Sequence, residues 1–449
     1  MIEHLIDKYA VGVPRYTSYP TAPHFSENVT AKTYAGWLSE LSDPRPISLY
    51  MHIPYCAEMC WYCGCMTKIV KRYAPISSYV DSLTAEIDSV ASHLPERFRA
   101  GAVHWGGGSP TILNADDWKR TFATLHSRFD FGDDADIAVE MDPRTTTPEY
   151  VRALADCGVN RVSIGVQDFD PKVQEAINRI QPYEVTARVV GWLREAGISN
   201  INLDLMYGLP HQTTALVEDM TNKALSLAPS RIALFGYAHV PWMKKHQRLI
   251  PTDLLPDTLE RYRQSELAAT MLVNAGFTRI GLDHFAAPDD TMTQAVQDGS
   301  LRRNFQGYTT DTSDTMLGFG ASSIGNMPQG YVQNTSAVAE YARAVANNAL
   351  PIARGLKVSD EDKLLRDAIN TLMCDLRLDV GALCEQHGQL ASRLDYVFER
   401  LADPLDDGLM TLNDRTIQVT EAGRPLVRVI AAAFDEYLVH AKARHSVAI

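Results

Sequence analysis

The sequence predicts an α/β protein: a partial (β/α)6 barrel, preceded by an N-terminal arm and followed by a mostly helical C-terminal domain. Three observations carry this. From about residue 47, short β-rich runs alternate with helical stretches, the pattern of βα units around a parallel sheet buried on both faces. Polar and glycine residues recur where those runs end. After about Arg354 the alternation gives way to helical patterning.

Taken in order, residues 1–45 carry Pro14, Pro20, Pro23 and Pro44, with Pro46 just beyond, and read as an arm wrapped over the body. The barrel spans 46–353. Its first strand is expected at 47–53, backed by an amphipathic helix over 76–93. Further strands are expected at 102–105, 136–141, 161–166, 200–206 and 231–237, with helices at 116–128, 148–157, 183–196 and 216–227. The C-terminal domain, 354–449, reads as helices over 360–373, 380–387 and 390–401. A short hairpin at 411–412 and 417–419 and a closing helix over 424–440 complete it.

Composition narrows the function. Of 449 residues, 45% are hydrophobic and 22% charged, a globular balance. No apolar run approaches the ~18–20 residues of a membrane span, and the N-terminus lacks a signal-peptide pattern. A cytoplasmic location is therefore expected. The balance of 42 Lys+Arg against 55 Asp+Glu gives −13, which argues against nucleic acid and anionic membranes as partners. The seven cysteines are odd in number and four fall within ten residues, which favours metal or redox chemistry over a disulfide framework.

Strand-end positions gather the unusual residues: His52-Ile53-Pro54, Gly106-Gly107-Gly108, Glu140, Gln167, Asp204 and Tyr237-Ala238-His239. Enzymes of barrel architecture place their chemistry at the C-terminal ends of strands. One buried polar residue there is unremarkable; six in one layer read as a site.

The clustered cysteines follow the first strand as Cys56-x3-Cys60-x2-Cys63, with Cys65 two residues on. Three thiolates at this spacing can ligate three irons of a cubane and leave the fourth open to a small molecule. Tyr55, Trp61 and Tyr62 beside them can limit solvent access. Structural zinc is the rival, but its ligands usually come as two pairs well apart in sequence.

This spacing resembles the radical S-adenosylmethionine (SAM) superfamily. The resemblance implies a radical SAM-type partial barrel. It also implies a [4Fe–4S] cluster held by Cys56, Cys60 and Cys63, with SAM chelated on the open iron. Narrower segments resemble the oxygen-independent coproporphyrinogen III oxidase family: 14–21 (PRYTSYPT), the extra Cys65, 165–169 (GVQDF), 202–210 (NLDLMYGLP), 283–286 (DHFA), 303–310 (RNFQGYTT) and 317–320 (LGFG). That family implies conversion of two propionates of coproporphyrinogen III to vinyl groups, giving protoporphyrinogen IX.

The resemblance further implies two SAM molecules. Tyr50, Gly107, Glu140 and Ile324 would meet the first. Tyr62, Gly108, Ser109, Gln167, Arg179, Asp204 and Ala238 would meet the second. Ser109 stands where Thr is usual, which keeps the hydroxyl. Cys65, outside the ligand set, and Tyr50 are the catalytic candidates. Arg15, Arg302 and Arg303 lie in family-like segments and are candidates to pair with the substrate carboxylates. An electron donor and an electron acceptor, unnamed by the sequence, are implied, and a monomer is expected. The alternative is a haem-binding, chaperone-like paralogue of the same fold without decarboxylase activity. That class typically lacks the fourth cysteine and the 14–21 segment, both present here.

Overall fold

The computed structural model describes residues 3–42 and 45–438. Pro44 of the arm and residues 439–440 of the expected closing helix lie outside the described residues. Twelve strands form one sheet. In chain order they are β1 (Ile47–Ile53), β2 (Arg99–Gly107), β3 (Asp130–Met141), β4 (Arg161–Gln167), β5 (Asn200–Tyr207) and β6 (Arg231–Gly236). Then come β7 (Thr278–Ile280), β8 (His284–Ala286), β9 (Met316–Phe319), β10 (Ile324–Met327), β11 (Gly330–Asn334) and β12 (Ile352–Lys357). Across the sheet they run β12-β11-β10-β9-β1-β2-β3-β4-β5-β6-β8-β7. Pairing is parallel from β9 through β1 to β6 and antiparallel on both flanks.

All six expected strands are present as β1–β6, in sequential order. The helices between and after them are α1 (Ala74–Ser92), α2 (Ala115–Arg128), α3 (Pro148–Asp156), α4 (Tyr183–Glu195), α5 (Thr214–Ser226) and α6 (Thr258–Asn274). Their starts are set locally. Asn114, Thr147, Thr213 and Asp257 each accept a backbone N–H from the first turn they cap. Apolar residues such as Leu49, Met51, Val103, Trp105, Val139, Ile164 and Leu203 are at most 1% exposed, as expected of a sheet covered on both faces.

Alternate residues of β2–β6 turn to a shared polar interior. His104, Glu140, Ser163, Asn202, Asp204 and Phe235, one or two from each strand, line one cavity of about 220 Å3. Side chains from five successive strands can meet around one space only if the sheet curls, so this is the inside of the partial barrel. Among the described residues no helix is long and apolar enough to cross a membrane.

A second core lies apart from the sheet. Leu5, Ile6, Tyr9, Tyr16 and Tyr19 of the arm pack there with residues from Leu364 to Phe434. The arm therefore lies against the C-terminal segment as well as the barrel, where Ser26 pairs with Gly355 of β12. β12 itself runs across positions 353 and 354.

Two helical expectations in this region are corrected. Over 390–401 only Val397–Arg400 is α-helical. The stretch closes successive three-residue turns instead, with Arg393, Asp395, Val397 and Phe398 each donating to the carbonyl three residues back. After Gly423 the chain forms Val427–Ala431 flanked by short 3-10 turns. It ends at Asp435, whose carboxylate accepts the amides of Tyr437 and Leu438, an alternative to the helical ladder.

Candidate functional site

The cysteine loop leaves the C-terminal end of β1 and is clasped at its base. Tyr55–Cys56 pairs in parallel with Lys68–Ile69. Neighbouring elements hold its backbone from two sides. Trp61 N–H donates to Ile177 O (2.9 Å) and Asn178 Nδ2 to Met59 O (2.8 Å). From the segment after β6, Gln247 Nε2 donates to Tyr62 O (2.9 Å), His246 Nε2 to Cys63 O (2.7 Å) and Lys244 Nζ to Cys65 O (3.2 Å). The loop is thus fixed by its backbone, leaving the thiols to face inward.

Below the loop, the glycine run that ends β2 and follows it, Gly106–Gly108, admits no side chain. A Cβ on Gly106 would lie 2.8 Å from Glu140 Oε1 and 3.1 Å from Tyr50 Oη. Gly107 has φ of +121°, and a Cβ there would lie 2.8 Å from Ile53 O. A Cβ on Gly108 would meet Thr67 Oγ1 at 2.5 Å and Tyr55 O at 2.6 Å. With that space free, Gly107 N–H donates to Glu140 Oε2 (3.2 Å) while His104 Nε2 donates to Oε1 (3.3 Å). Behind them His52 Nε2 donates to Met66 O (3.2 Å) and Nδ1 accepts from Tyr50 Oη (3.0 Å). Burial lowers the His52 pKa, which suits this neutral tautomer. Burial, reinforced by Glu140, holds the Tyr50 hydroxyl protonated far above the usual range.

Two guanidinium groups flank Cys60: Arg179 Nη1 lies 3.6 Å and Arg144 Nη2 3.8 Å from its sulfur. Arg179 also donates to Gly165 O (2.6 Å) and faces Asp142 (3.6 Å), which pairs with Arg144 at 2.6 Å. Burial works to raise the Asp142 pKa, but Arg179 and Arg144 hold it below the ordinary value. Thr67 Oγ1 donates to Cys56 Sγ (3.1 Å) and Cys65 N–H to Cys63 Sγ (3.3 Å). A hydrogen bond from Cys65 pulls the Cys63 thiol down to about 6; burial pushes Cys56 up to about 11. At the end of β4, Gln167 takes φ of +70°. Asp204 accepts from Ser163 (3.0 Å) and Asn202 (2.7 Å), yet burial and then Glu140 raise it to about 6.

These groups surround one cavity of about 430 Å3, within the ~300–1,000 Å3 range of small-molecule sites. Of the sequence-derived candidates, Cys56, Cys60, Cys63, Cys65, Tyr62, Gly107, Gly108, Ser109, Glu140, Gln167, Arg179, Asp204 and Ala238 line it, and Arg15 reaches its edge. Tyr50 lies behind Gly106. Ile324 is farther back; its carbonyl packs on Gly318, the β9 residue level with Tyr50.

The donor set fits an iron–sulfur cluster with an adjoining ligand. Four cysteines line one cavity, three of them at the Cys-x3-Cys-x2-Cys spacing, cationic groups lie beside Cys60, and Arg179 Nε is buried with no hydrogen-bond partner. Among the described residues no group of three His, Cys, Asp or Glu side chains is placed to hold a single metal ion.

A second cavity of about 360 Å3 adjoins the first and shares Arg15, Phe235, Gly236, Tyr237 and Ala238 with it. Five arginines line it: Arg15, Arg261, Arg279, Arg303 and Arg428. Burial, and then repulsion from Arg15, lowers Arg428 to about 10. Burial works to raise Asp283, but His284, Arg303 and Arg15 hold it at about 2. Arg303 lies 4.4 Å over the Tyr308 ring and donates to the carbonyls of Arg15 and Tyr16. Arg302, by contrast, is absent from this cavity; it lines a neighbouring groove, which Arg303 also borders, and donates to Gly299 O and Leu301 O. Arg144, Thr67, Arg261, Arg279 and Arg428 went unread in the sequence, where each stands as an isolated polar residue.

Residues 50–224 match the family model of the radical SAM superfamily. A protein of Bradyrhizobium diazoefficiens named oxygen-independent coproporphyrinogen III oxidase is 49% identical over 437 residues, 97% of each chain. One of the same name from Salmonella typhimurium is 38% identical over 435 residues, 97% of this chain and 95% of its own. The solved structure of Escherichia coli coproporphyrinogen III oxidase, described as a radical SAM enzyme, matches with a TM-score of 0.90 at 36% identity. It covers 94% of this chain and 97% of its own.

Proposed function

The chain belongs to the oxygen-independent coproporphyrinogen III oxidases of the radical SAM superfamily, and we propose that its two adjoining cavities divide the reaction, one generating the radical and the other holding the porphyrinogen. The enzyme oxidatively decarboxylates two propionates of coproporphyrinogen III to vinyl groups, giving protoporphyrinogen IX. When bound, the [4Fe–4S] cluster and SAM supply the 5′-deoxyadenosyl radical that takes a hydrogen atom from the propionate β-carbon. Loss of CO2 and one electron from the substrate leaves each vinyl group, so a one-electron acceptor is required.

In this reading Cys56, Cys60 and Cys63 hold the cluster. Tyr50, Gly107, Glu140 and Ile324 serve the first SAM; Tyr62, Gly108, Ser109, Gln167, Arg179, Asp204 and Ala238 serve the second. Glu140 presents a carboxylate oriented by Gly107 and His104, suited to a cationic or amino group. The carrying observation is the shared wall. Arg15 and Phe235–Ala238 border both cavities, so a substrate gripped by arginines would present its side chain to the radical side. Five arginines outnumber the three acids that line the cavity, Asp257, Glu266 and Asp283, of which Glu266 pairs with Arg279 at 2.8 Å, and carboxylates of the substrate supply the remaining negative charge. Arg15 and Arg303 act there with Arg261, Arg279 and Arg428, while Arg302 stands outside this wall.

Arg15 of the arm and Pro425 and Arg428 of the C-terminal segment close the barrel from the arginine side. The enzyme works as a monomer in the cytoplasm, a setting consistent with seven free thiols. Anaerobic reconstitution with iron and sulfide, followed by reductant, SAM, coproporphyrinogen III and a cell extract as electron acceptor, tests the reading. Protoporphyrin and 5′-deoxyadenosine, both lost in Cys60→Ala, are expected. Deoxyadenosine without vinyl product moves the substrate elsewhere. Tight haem binding with neither product favours the chaperone-like alternative.

A further inference from the structure

Asp283 stands just before β8, on the wall of the arginine-lined cavity. An acid in that place opposes the entry of a polycarboxylate substrate, so its presence calls for a physical reason. The other two acids of the cavity have local partners. Glu266 pairs with Arg279 at 2.8 Å, and Asp257 Oδ1 accepts the Glu260 N–H (2.8 Å) at the start of α6.

Asp283 is set differently. Its Oδ1 accepts from His284 Nδ1 (2.7 Å), and among the described residues its Oδ2 takes no hydrogen bond. Against burial, His284, Arg303 and Arg15 keep the carboxylate ionised, at about 2. Its backbone is pinned to β6, where Leu234 N–H donates to Asp283 O (2.8 Å). The cavity thus holds an ionised acceptor, fixed in direction, with one oxygen unspent.

A porphyrinogen brings the matching donors. Each pyrrole ring carries an N–H, and the saturated bridging carbons let the rings tilt those groups toward one face of the macrocycle. Arginines can grip the carboxylates at its rim but have no acceptor for the N–H groups at its centre. A buried donor left unmet costs its full desolvation penalty, whereas a carboxylate gives it a charge-assisted bond.

We propose that Asp283 seats the macrocycle, its second oxygen accepting from the inward-turned pyrrole N–H groups while the arginines around it hold the propionates. The inference rests on the porphyrinogen reading of this cavity and adds how the ring itself is recognised. His284 is the positioning residue that aims the carboxylate. A metalloporphyrin has no N–H to offer, so the same contact selects the metal-free substrate.

The test measures binding to the reconstituted holoenzyme by anaerobic equilibrium dialysis, with SAM but no reductant, so that no turnover occurs. The probes are coproporphyrinogen III and copper(II) coproporphyrin III, which has the same propionates but a square-planar metal in place of every N–H. Asp283→Asn is expected to weaken coproporphyrinogen binding on the order of tenfold or more. It should leave the copper chelate unchanged or tighter, because a negative charge is lost from the cavity. A residue that merely offsets the arginines would give tighter binding of both probes, and a structural one an equal loss of both; either result overturns the proposal. Where the variant folds poorly, wild type decides alone. In its complex with nitrogen-labelled coproporphyrinogen III, the pyrrole N–H proton resonances should lie downfield of those of the free ligand, and unmoved resonances overturn the proposal. A wild-type enzyme that binds neither probe overturns the porphyrinogen reading of the cavity as well.

Discussion

The backbone N–H of Gly107 donates to Oε2 of Glu140 at 3.2 Å, joining the last residue of β2 to the carboxylate near the end of β3. The bond exists because the turn carries no side chain and because Gly107 takes φ of +121°. Gly107→Ala would put a Cβ 2.8 Å from Ile53 O in a backbone region that costs an L-residue ~1–3 kcal/mol. We expect a lowered melting temperature and at least tenfold slower SAM cleavage. Retained SAM affinity and turnover would remove the turn from the cofactor cradle.

Cys60→Ala and Cys65→Ala should part company in iron content. Cys60 lies between two guanidinium groups and is a proposed cluster ligand, so its loss should empty the site. Cys65→Ala should keep the three ligands and a full [4Fe–4S] complement. Thr67→Ala, which removes the 3.1 Å bond to Cys56 Sγ, should keep the iron but shift the cluster potential downward. It should also lower SAM cleavage by ~10–100-fold. Thr67→Ser should restore both. Iron analysis and redox titration decide each case.

How much of this was legible in the sequence follows from how the information is arranged along the chain. β1–β6 announced themselves as β-rich runs set between helical stretches, with apolar residues such as Val139 and Met141 alternating with polar ones such as Glu140. The flanking strands β7–β12 are three to six residues long, too short to show a period. Cys56, Cys60 and Cys63, the proposed cluster ligands, lie within eight residues, so their spacing could be read directly from the sequence. The arginine-lined cavity draws Arg15, Arg261, Arg303 and Arg428 from four distant segments, and only folding brings them together. For the same reason Arg302 and Arg303, adjacent in sequence, looked equivalent although only Arg303 reaches the arginine-lined cavity, while both border the neighbouring groove.

That difference is measurable. Arg15→Gln removes a positive charge from the wall common to both cavities and should raise the substrate KM about tenfold, in line with ~1.5 kcal/mol for a charged hydrogen bond. Arg302→Gln, facing the other groove, should leave KM unchanged. Steady-state protoporphyrin formation at saturating SAM reads both. Equal effects would mean that the substrate reaches the surface on which Arg302 lies.

A last prediction concerns a buried acid remote from the cavities. Glu86 of α1 accepts from Gly320 N–H (2.7 Å), Tyr341 Oη (2.6 Å) and Asn334 Nδ2 (2.6 Å). Burial nonetheless raises it from 4.5 to about 7. A raised acid binds more protons folded than unfolded, so its effect on stability is absent below about 4.5. As pH climbs toward 7 the unfolded chain ionises first, and stability falls. The shift corresponds to roughly 3 kcal/mol. Glu86→Gln cannot ionise, and a turned Asn334 amide could accept from its nitrogen. The variant should therefore lose less stability than wild type between pH 5 and 7, as read by denaturant unfolding across that interval. Parallel profiles would show that Glu86 is already ionised in the folded protein, with its three donors outweighing burial.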